Sequence, residues 1–229
     1  MTDERDARTA LVETARDLDT AGLNHNSSGN LSVRVGPNVL VTPSGIPARA
    51  MTLDDPVLLD ADGTPVGRQP RVPTSEWRLH VELLRRRPDV HAVVHTHSPE
   101  ATAAATLGRA VPAVHYVVAR FGATELPCAT YATYGSIDLA RHVADTLGRH
   151  GTACLMANHG ALTAATDLET AAALAIDVEW FCGVYRRACT LGDPVVLDDH
   201  EIERVRELFT SYGQPADPSR PPAPTDRAG

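Results

Sequence analysis

The chain has 229 residues, a formal net charge of −8 and a hydrophobic fraction of 43%. This length and apolar content suit one domain with a sizeable core. The acidic balance opposes binding to nucleic acid or to anionic membranes, and no run approaches the roughly 18 apolar residues of a membrane span.

The cysteines and the N-terminus indicate a reduced, cytoplasmic protein. The four cysteines show no CxxC spacing, so neither a cysteine-rich zinc cluster nor a disulfide scaffold is predicted. The stretch "MTDERDART" is charged and lacks the apolar core of a signal peptide. We therefore expect reduced, buried thiols and a cytoplasmic location.

The first half of the chain predicts helices flanking hairpin-connected strands. An apolar stripe predicts an amphipathic helix over residues 6–18. "LSVRV" and "VLVTP", joined by "GPN", predict a hairpin, and "PVLLDADGTPVG" predicts a further edge hairpin. "PTSEWRLHVELLRRRP" predicts a helix with Thr74 or Ser75 as its N-cap.

Strands and helices alternate through the second half. "HAVVHTH", "AVHYVV" and "TACLMANHG" predict strands. "SPEATAAATLG" predicts a helix with Pro99 in its first turn. "SIDLARHVADTLGRHG" and "TDLETAAALAIDVEWFCGVYRRACTLG" predict two more helices, and "DDHEIERVRELF" a last one capped by Asp198 and Glu201.

This order of elements predicts a three-layer α/β/α fold with a mixed, largely antiparallel central sheet. We expect one domain over residues 1–214, because no internal repeat or linker interrupts it. Residues 215–229 are proline-rich and nearly devoid of large apolar side chains, which is typical of a disordered tail.

Two histidines of "HAVVHTH" have the spacing of metal ligands. Side chains at i and i+2 share one face of a strand, so His95 and His97 can offer imidazoles to one ion. Zinc takes such ligands in a tetrahedral array, and His159, in "ANHGAL", is the best third candidate. His91 lies about 13 Å back along an extended strand, too far to join them. Spacing alone leaves a half-buried strand that happens to carry histidines as the alternative.

Three short stretches, "SGNLS", "VTPSGIP" and "PTSEW", have the composition of anion-binding turns. The first precedes a predicted strand, the second follows one, and the third begins a helix, where N–H groups and the dipole favour an anion. Each stretch alone is also ordinary turn or cap chemistry. The candidate phosphate-binding residues are Gly29, Asn30, Ser44, Gly45, Thr74 and Ser75.

Glu76 follows these residues in the first predicted turn of the same helix. A glutamate there commonly serves helix-end electrostatics. Close to both a metal and a phosphate, it would instead be a general base. The helix end lowers its basicity, and burial and the metal would then set its working pKa.

Together these residues form a pattern that resembles a known family. "GLN", "GNLSVR", "VTPSGIP", "PTSEWRLH", "AVVHTH", "PAVHYVVA", "PCATYATYGS", "NHGAL" and "FTSYG" occur in the family's order with near-family spacing. From about residue 8 to residue 212 the chain resembles the class II aldolase/adducin family, and within it the fuculose-phosphate aldolases. The resemblance implies cleavage of a ketose 1-phosphate, such as L-fuculose 1-phosphate or a 5-deoxypentulose 1-phosphate, to dihydroxyacetone phosphate and a small aldehyde.

The resemblance also implies roles for individual residues. The three histidines match the family's zinc ligands, and Glu76 matches the acid/base glutamate that can touch the metal. The candidate phosphate residues match the phosphate-binding positions. Tyr116 matches a tyrosine that assists from a neighbouring subunit, and Tyr212 one that closes over the site. The family is typically a homotetramer with its active sites between subunits. The matched histidines imply one Zn²⁺ per subunit.

Two departures and one absence bear on the reaction. "ARFGATELP" replaces a stretch of small residues in the family, so Arg120 and Phe121 are expected to reshape the binding of the aldehyde half. The proline-rich tail is also foreign to the family. No lysine occurs in the chain, which excludes a Schiff-base aldolase, since that route needs a reactive lysine amine.

Three alternatives share the scaffold. A pentulose-5-phosphate 4-epimerase carries aspartate where Glu76 stands, which counts against it. A methylthioribulose-1-phosphate dehydratase keeps the glutamate and stays open. An adducin-like binding module lacks the metal residues, whereas here the three histidines and the glutamate are all present.

Overall fold

The computed structural model describes residues 3–210, and a seven-stranded sheet lies at their centre. The strand order is β3-β2-β1-β4-β7-β6-β5, and every neighbouring pair is antiparallel except β5 with β6. The strands are β1 (Asn30–Val35), β2 (Asn38–Val41), β3 (Val57–Leu59), β4 (Ala92–Thr96), β5 (Cys128–Ala129), β6 (Ala153–Met156) and β7 (Gly160–Ala165).

Helices cover both faces of the sheet, so the predicted three-layer fold with a mixed, largely antiparallel sheet is confirmed. Buried side chains of α1, α3 and α5 form one core with the sheet, and those of α2 and α4 form a second core on the opposite face. The helices are α1 (Glu4–Thr20), α2 (Trp77–Arg86), α3 (Pro99–Ala105), α4 (Ile137–Leu147), α5 (Leu168–Leu191) and α6 (Asp199–Phe209).

Strand β4 lies between β1 and β7, and all five of its residues are buried. Its apolar residues divide between the two cores, because successive side chains point to opposite faces. In the ladder, His95 is paired with Asn30 of β1 and with Leu162 of β7. The register therefore places one predicted phosphate residue directly beside one predicted metal ligand.

The stretch predicted as a single strand, "TACLMANHG", is a strand and a tight turn, and a further strand, β7, follows it. Met156 and Gly160 close the β6–β7 hairpin, and the N–H of His159 donates to the carbonyl of Met156 at 3.0 Å. Asn158 adopts the left-handed conformation, with a φ of 53°, which asparagine tolerates better than most residues. The prediction missed β7 because its residues are buried throughout and do not alternate in polarity.

The prediction of a strand at "AVHYVV" is wrong. After an extended His115, the chain forms a 3-10 helix over Tyr116–Phe121. The imidazole of His115 accepts a hydrogen bond from the N–H of Val117, and Gly122, in the left-handed region, ends the helix. A short apolar run fits a strand and a helical turn equally well, so its periodicity could not separate them.

Two smaller expectations are also corrected. The N-cap of α2 is Glu76 rather than Thr74 or Ser75, and the helix begins at Trp77. Thr74 stabilises the turn before the helix, since its hydroxyl oxygen accepts a hydrogen bond from the N–H of Glu76 at 3.3 Å. In the predicted edge hairpin, β3 is followed by a single bridge between Leu59 and Pro65 rather than by a second strand.

Among residues 3–210, no helix is long and apolar enough to span a membrane. The Asp198 half of the predicted cap of the last helix is present, because the carboxylate of Asp198 accepts from the N–H of Glu201 at 2.8 Å. Tyr212 and the predicted disordered tail lie outside the described residues.

Gly122 gives a test of this fold. Its φ is 69°, and a Cβ there would overlap the backbone carbonyl oxygen of His150. Gly108 has a similar φ of 61° with open space around it. Both Gly→Ala changes bear left-handed strain of about 1 kcal/mol. We expect Gly122→Ala to lose roughly 1–3 kcal/mol more than Gly108→Ala, because the backbone carbonyl has to move. Urea unfolding at matched protein concentration measures this, and equal losses would contradict the contact.

Candidate metal centre and substrate cavity

Four side chains from three separate parts of the chain converge at one end of the sheet. One potential ligand atom from each of Glu76, His95, His97 and His159 lies within 4.8 Å of all the others. The centroids of the three imidazole rings are 4.7, 4.9 and 4.9 Å apart, so the rings surround a common point. The structure thus brings together the four residues that the sequence predicts as metal ligands.

Three segments of the chain hold these side chains. His95 is the penultimate residue of β4, and His97 follows the strand, so the strand aims both rings to the same side. His159 lies in the turn between β6 and β7. Glu76 stands at the N-cap of α2. Because β4 is hydrogen-bonded to β7, the two histidine-bearing segments are held together by the sheet itself.

A backbone contact determines which nitrogen His95 presents. Its Nδ1 lies 2.9 Å from the carbonyl oxygen of Ala161. A carbonyl only accepts, so Nδ1 carries the proton and Nε2 faces the cluster. That Nε2 is 2.9 Å from Nε2 of His97 and 3.2 Å from Oε2 of Glu76. A carbonyl behind a ligating histidine is the arrangement that orients imidazoles on metals.

Glu76 brings a buried negative charge to the cluster. It is 6% exposed, and its Oε2 accepts from the amide of Asn30 at 3.0 Å. Its Oε1 lies 3.4 Å from Nε2 of His159 and has no hydrogen-bond partner among residues 3–210. A buried carboxylate oxygen without a hydrogen bond is costly unless it is paired or coordinates a metal.

The pKa shifts keep two of the three rings in the neutral form that binds a metal. Burial, together with the charge of His95, lowers the pKa of His97 to about 3 and that of His159 to about 4, so both are neutral at pH 7. Burial alone would also lower the pKa of His95, but the Glu76 carboxylate outweighs it and raises that pKa. For Glu76, burial acts to raise the pKa, yet His95, His159 and Asn30 together hold it well below its usual range. Three imidazoles and a carboxylate fit a divalent transition metal such as zinc.

A cavity of about 460 Å³ opens over the cluster, and Glu76, His97 and His159 line it. All six predicted phosphate-binding residues also line this cavity, although they come from three stretches of the chain. These residues are Gly29, Asn30, Ser44, Gly45, Thr74 and Ser75.

The polar wall of this cavity offers neutral donors. The oxygen of the Thr74 hydroxyl accepts from the N–H of Glu76, so its proton is the group that it can offer to an anion. Gly29 has a φ of 78°, and a Cβ there would overlap the amide of Asn24. None of the described residues that line the cavity is an arginine.

Several residues of the site were missed by the sequence reasoning. Tyr131, Tyr134 and Asn158 line the cavity, and the first two lie in "PCATYATYGS", where spacing gives no sign of a binding role. The side-chain oxygen of Asn24 accepts from the N–H of His97 at 3.2 Å. His80 is fully buried and contacts Asn30, and its sequence context does not distinguish it from a surface or packing histidine. Nothing local in the sequence signals these long-range contacts.

Glu179 of α5 was also missed, and it fixes the segment that follows His97. Its two carboxylate oxygens accept from the N–H groups of Glu100 and Ala101, each at 2.9 Å. Ser98 occupies the N-cap of α3 but makes no side-chain capping bond. A carboxylate from another helix therefore supplies the cap, which also suits the helix dipole.

The residues assigned to the aldehyde half lie elsewhere in this chain. Tyr116 is 50% exposed and lines a separate hollow between the 3-10 helix and α6. Phe121 is fully buried and packs edge-to-face on Phe181, so it shapes the core rather than a substrate surface. Arg120 pairs with Asp177 of α5.

Known proteins support the class that this fold and site define. The sequence profile described as "Class II Aldolase and Adducin N-terminal domain" matches residues 9–186. A 5-methylthioribulose-1-phosphate/5-deoxyribulose-1-phosphate aldolase from Rhodospirillum rubrum is 44% identical over 217 residues, covering 94% of this chain and 96% of that protein. An L-fuculose phosphate aldolase from Escherichia coli K12 is 39% identical over 204 residues, covering 89% and 94%.

A solved structure agrees with these sequence relatives. An L-fuculose 1-phosphate aldolase superimposes with a TM-score of 0.85 at 36% identity, covering 90% of this chain and 96% of that one. Fold and cluster together define a metal-dependent lyase. The chain belongs to the class II aldolase and adducin family, as its motifs predicted, and is a metal-dependent aldehyde-lyase.

Ligation by His97 can be tested against a histidine of the same segment. We expect His97→Ala to lower zinc affinity by at least about 100-fold, because one of three imidazole donors is removed. His91→Ala is the matched control, since His91 precedes β4, is exposed and stands outside the cluster. Competition with a chromophoric chelator measures both affinities. Equal zinc affinity in the two variants would contradict the assignment.

Metal binding is also expected to release a proton. In the metal-free protein, Glu76 raises the pKa of His95, so a cation has to displace whatever proton that ring carries. Metal affinity should therefore rise with pH through the range in which His95 loses its proton. Calorimetry in buffers of different ionisation enthalpy counts the proton. In Glu76→Gln the carboxylate no longer raises the pKa of His95, so proton release should decrease; unchanged release there would contradict the coupling.

Proposed function

We propose that this chain is a zinc-dependent aldolase that reversibly cleaves a ketose 1-phosphate to dihydroxyacetone phosphate and a small aldehyde. The observation that carries the proposal is the shared cavity. The cluster of three histidines and a glutamate adjoins the cavity, and all six predicted phosphate-binding residues line it. A metal site and a phosphate cradle that share one cavity suit a small sugar phosphate whose carbonyl lies near its phosphate.

The relatives narrow the substrate to two groups. Proteins that share 39% and 44% identity over most of this chain are named for L-fuculose phosphate and for 5-methylthioribulose 1-phosphate or 5-deoxyribulose 1-phosphate. These substrates share a ketose 1-phosphate head and differ in the aldehyde half. We propose a substrate of this class, with a 5-deoxypentulose 1-phosphate or L-fuculose 1-phosphate as the candidates to test first.

Different residues of the site would bind the metal, bind the phosphate and transfer the proton. The three histidines would hold the zinc, which supplies Lewis-acid polarisation of the substrate's carbonyl and hydroxyl oxygens when bound. Thr74, Ser75 and the two glycine turns would hold the phosphate and so position the three-carbon half. Glu76 would return a proton to the carbon that loses its bond to the aldehyde half, because its carboxylate lies between the metal ligands and the phosphate wall.

A second subunit would complete the site. Tyr116 is exposed and does not line the cavity of its own chain. A role for it on the aldehyde oxygen therefore requires a neighbouring copy, and we propose a homotetramer with sites between subunits. Tyr212 is proposed to close over the same site.

The proposal predicts metal-dependent release of dihydroxyacetone phosphate. With zinc, L-fuculose 1-phosphate or 5-deoxyribulose 1-phosphate should be cleaved at a rate that falls at least about 100-fold after chelation and returns when zinc is added. A coupled assay for dihydroxyacetone phosphate measures it. Loss of water from 5-methylthioribulose 1-phosphate without that product would favour the dehydratase instead.

Glu76→Gln is the control for the proton transfer in this assay. The change keeps the size of the side chain but removes the base, so turnover should fall at least about 1,000-fold while zinc stays bound by the three histidines. Wild-type turnover in this variant would remove Glu76 from the proposed role.

A further inference from the structure

His80 lies behind the general base, one helical turn further along α2. It is fully buried, and both of its ring nitrogens are engaged by β1. Its Nδ1 lies 2.8 Å from the hydroxyl of Ser32, and its Nε2 lies 2.6 Å from Oδ1 of Asn30. Glu76 and His80 are four residues apart, so both face β1 from the same side of the helix.

Only one assignment of donors and acceptors satisfies the hydrogen bonds between Glu76, Asn30, His80 and Ser32. The carboxylate of Glu76 only accepts, so the NH₂ group of Asn30 has to face it, at 3.0 Å. The amide oxygen of Asn30 then faces His80, whose Nε2 has to carry the proton. Nδ1 is left as an acceptor, and the hydroxyl of Ser32 donates to it. Burial lowers the pKa of His80 to about 3, so the ring is neutral and carries only one N–H.

We propose that His80 is a positioning residue for the reaction: it fixes the orientation of the Asn30 amide, and Asn30 in turn holds the Glu76 carboxylate. This inference rests on the proposed function for the role of Glu76, and on geometry alone for the orientation. If the amide of Asn30 turned over, its oxygen would face Oε2 of Glu76, and two acceptors at hydrogen-bond distance repel each other. The N–H of His80 prevents that rotation, because the amide oxygen would lose its donor.

The same orientation serves the cavity. An asparagine NH₂ group has two protons, and Glu76 takes one of them. Asn30 also lines the cavity, so its second N–H is available to a bound substrate. One buried ring that never contacts substrate therefore determines both the direction of the base and a donor in the pocket.

Three variants of His80 separate positioning from simple packing. Gln reaches the position of Nε2 and keeps a donor for Asn30, Asn reaches only the position of Nδ1, and Leu fills the space without polar atoms. The first readout is the absorption spectrum of the cobalt-substituted protein, which reports the ligand field at the cluster without turnover. The second is kcat and KM for ketose 1-phosphate cleavage by the zinc protein.

We expect His80→Leu and His80→Asn to change the cobalt spectrum and to lower kcat about 10–100-fold, the usual effect of losing a partner behind a metal site. His80→Gln should keep the wild-type spectrum and a kcat within about threefold of wild type, since the donor to Asn30 remains. If Leu does not fold, the comparison of Asn with Gln decides.

Two results would overturn the inference. In the first, every folded variant keeps the wild-type spectrum and kcat and only the melting temperature falls, which is the signature of packing alone. In the second, His80→Gln behaves like His80→Asn, which removes the donor to Asn30 from the explanation. If the wild-type protein cleaves no ketose 1-phosphate, the proposed function fails, and the cobalt spectra alone decide the role of His80.

Discussion

The backbone ladder of β4 is the constraint on which the rest of the site depends. Hydrogen bonds to β1 place Asn30 beside His95, and hydrogen bonds to β7 hold the turn that carries His159 next to the end of β4. The rings need no long side-chain reach, because the sheet has already brought their backbones together. Metal ligands on strands are held more precisely than ligands on loops, and here even the loop ligand is closed by a hairpin.

Much of the architecture could be predicted from local patterns. Amphipathic stripes and caps located α1, α4 and α6 to within a few residues, and strand parity alone put His95 and His97 on one side. The class of fold followed from the order of elements. The predicted metal ligands and phosphate-binding residues were each visible in the sequence, but only motif resemblance suggested that they belong to one site.

The rest depends on contacts that a linear reading does not contain. Strand β7 is buried on both faces, so it shows no alternation that would separate it from the turn before it. Nothing around His80 in the sequence distinguishes it from other helical histidines. Its partners lie on β1, more than forty residues away in sequence. The departure of "ARFGATELP" from the family pattern predicted that Phe121 reshapes the binding of the aldehyde half, whereas the 3-10 helix turns it into the core.

The neutral polar wall of the cavity has a consequence for substrate binding. Among the described residues that line the cavity, Glu76 is the only acidic side chain and none is an arginine, and the pKa of Glu76 is held well below its usual range. A divalent ion held beside that single carboxylate would make the local charge positive. We therefore expect the affinity of the cavity for a sugar phosphate to depend on whether the metal site is loaded.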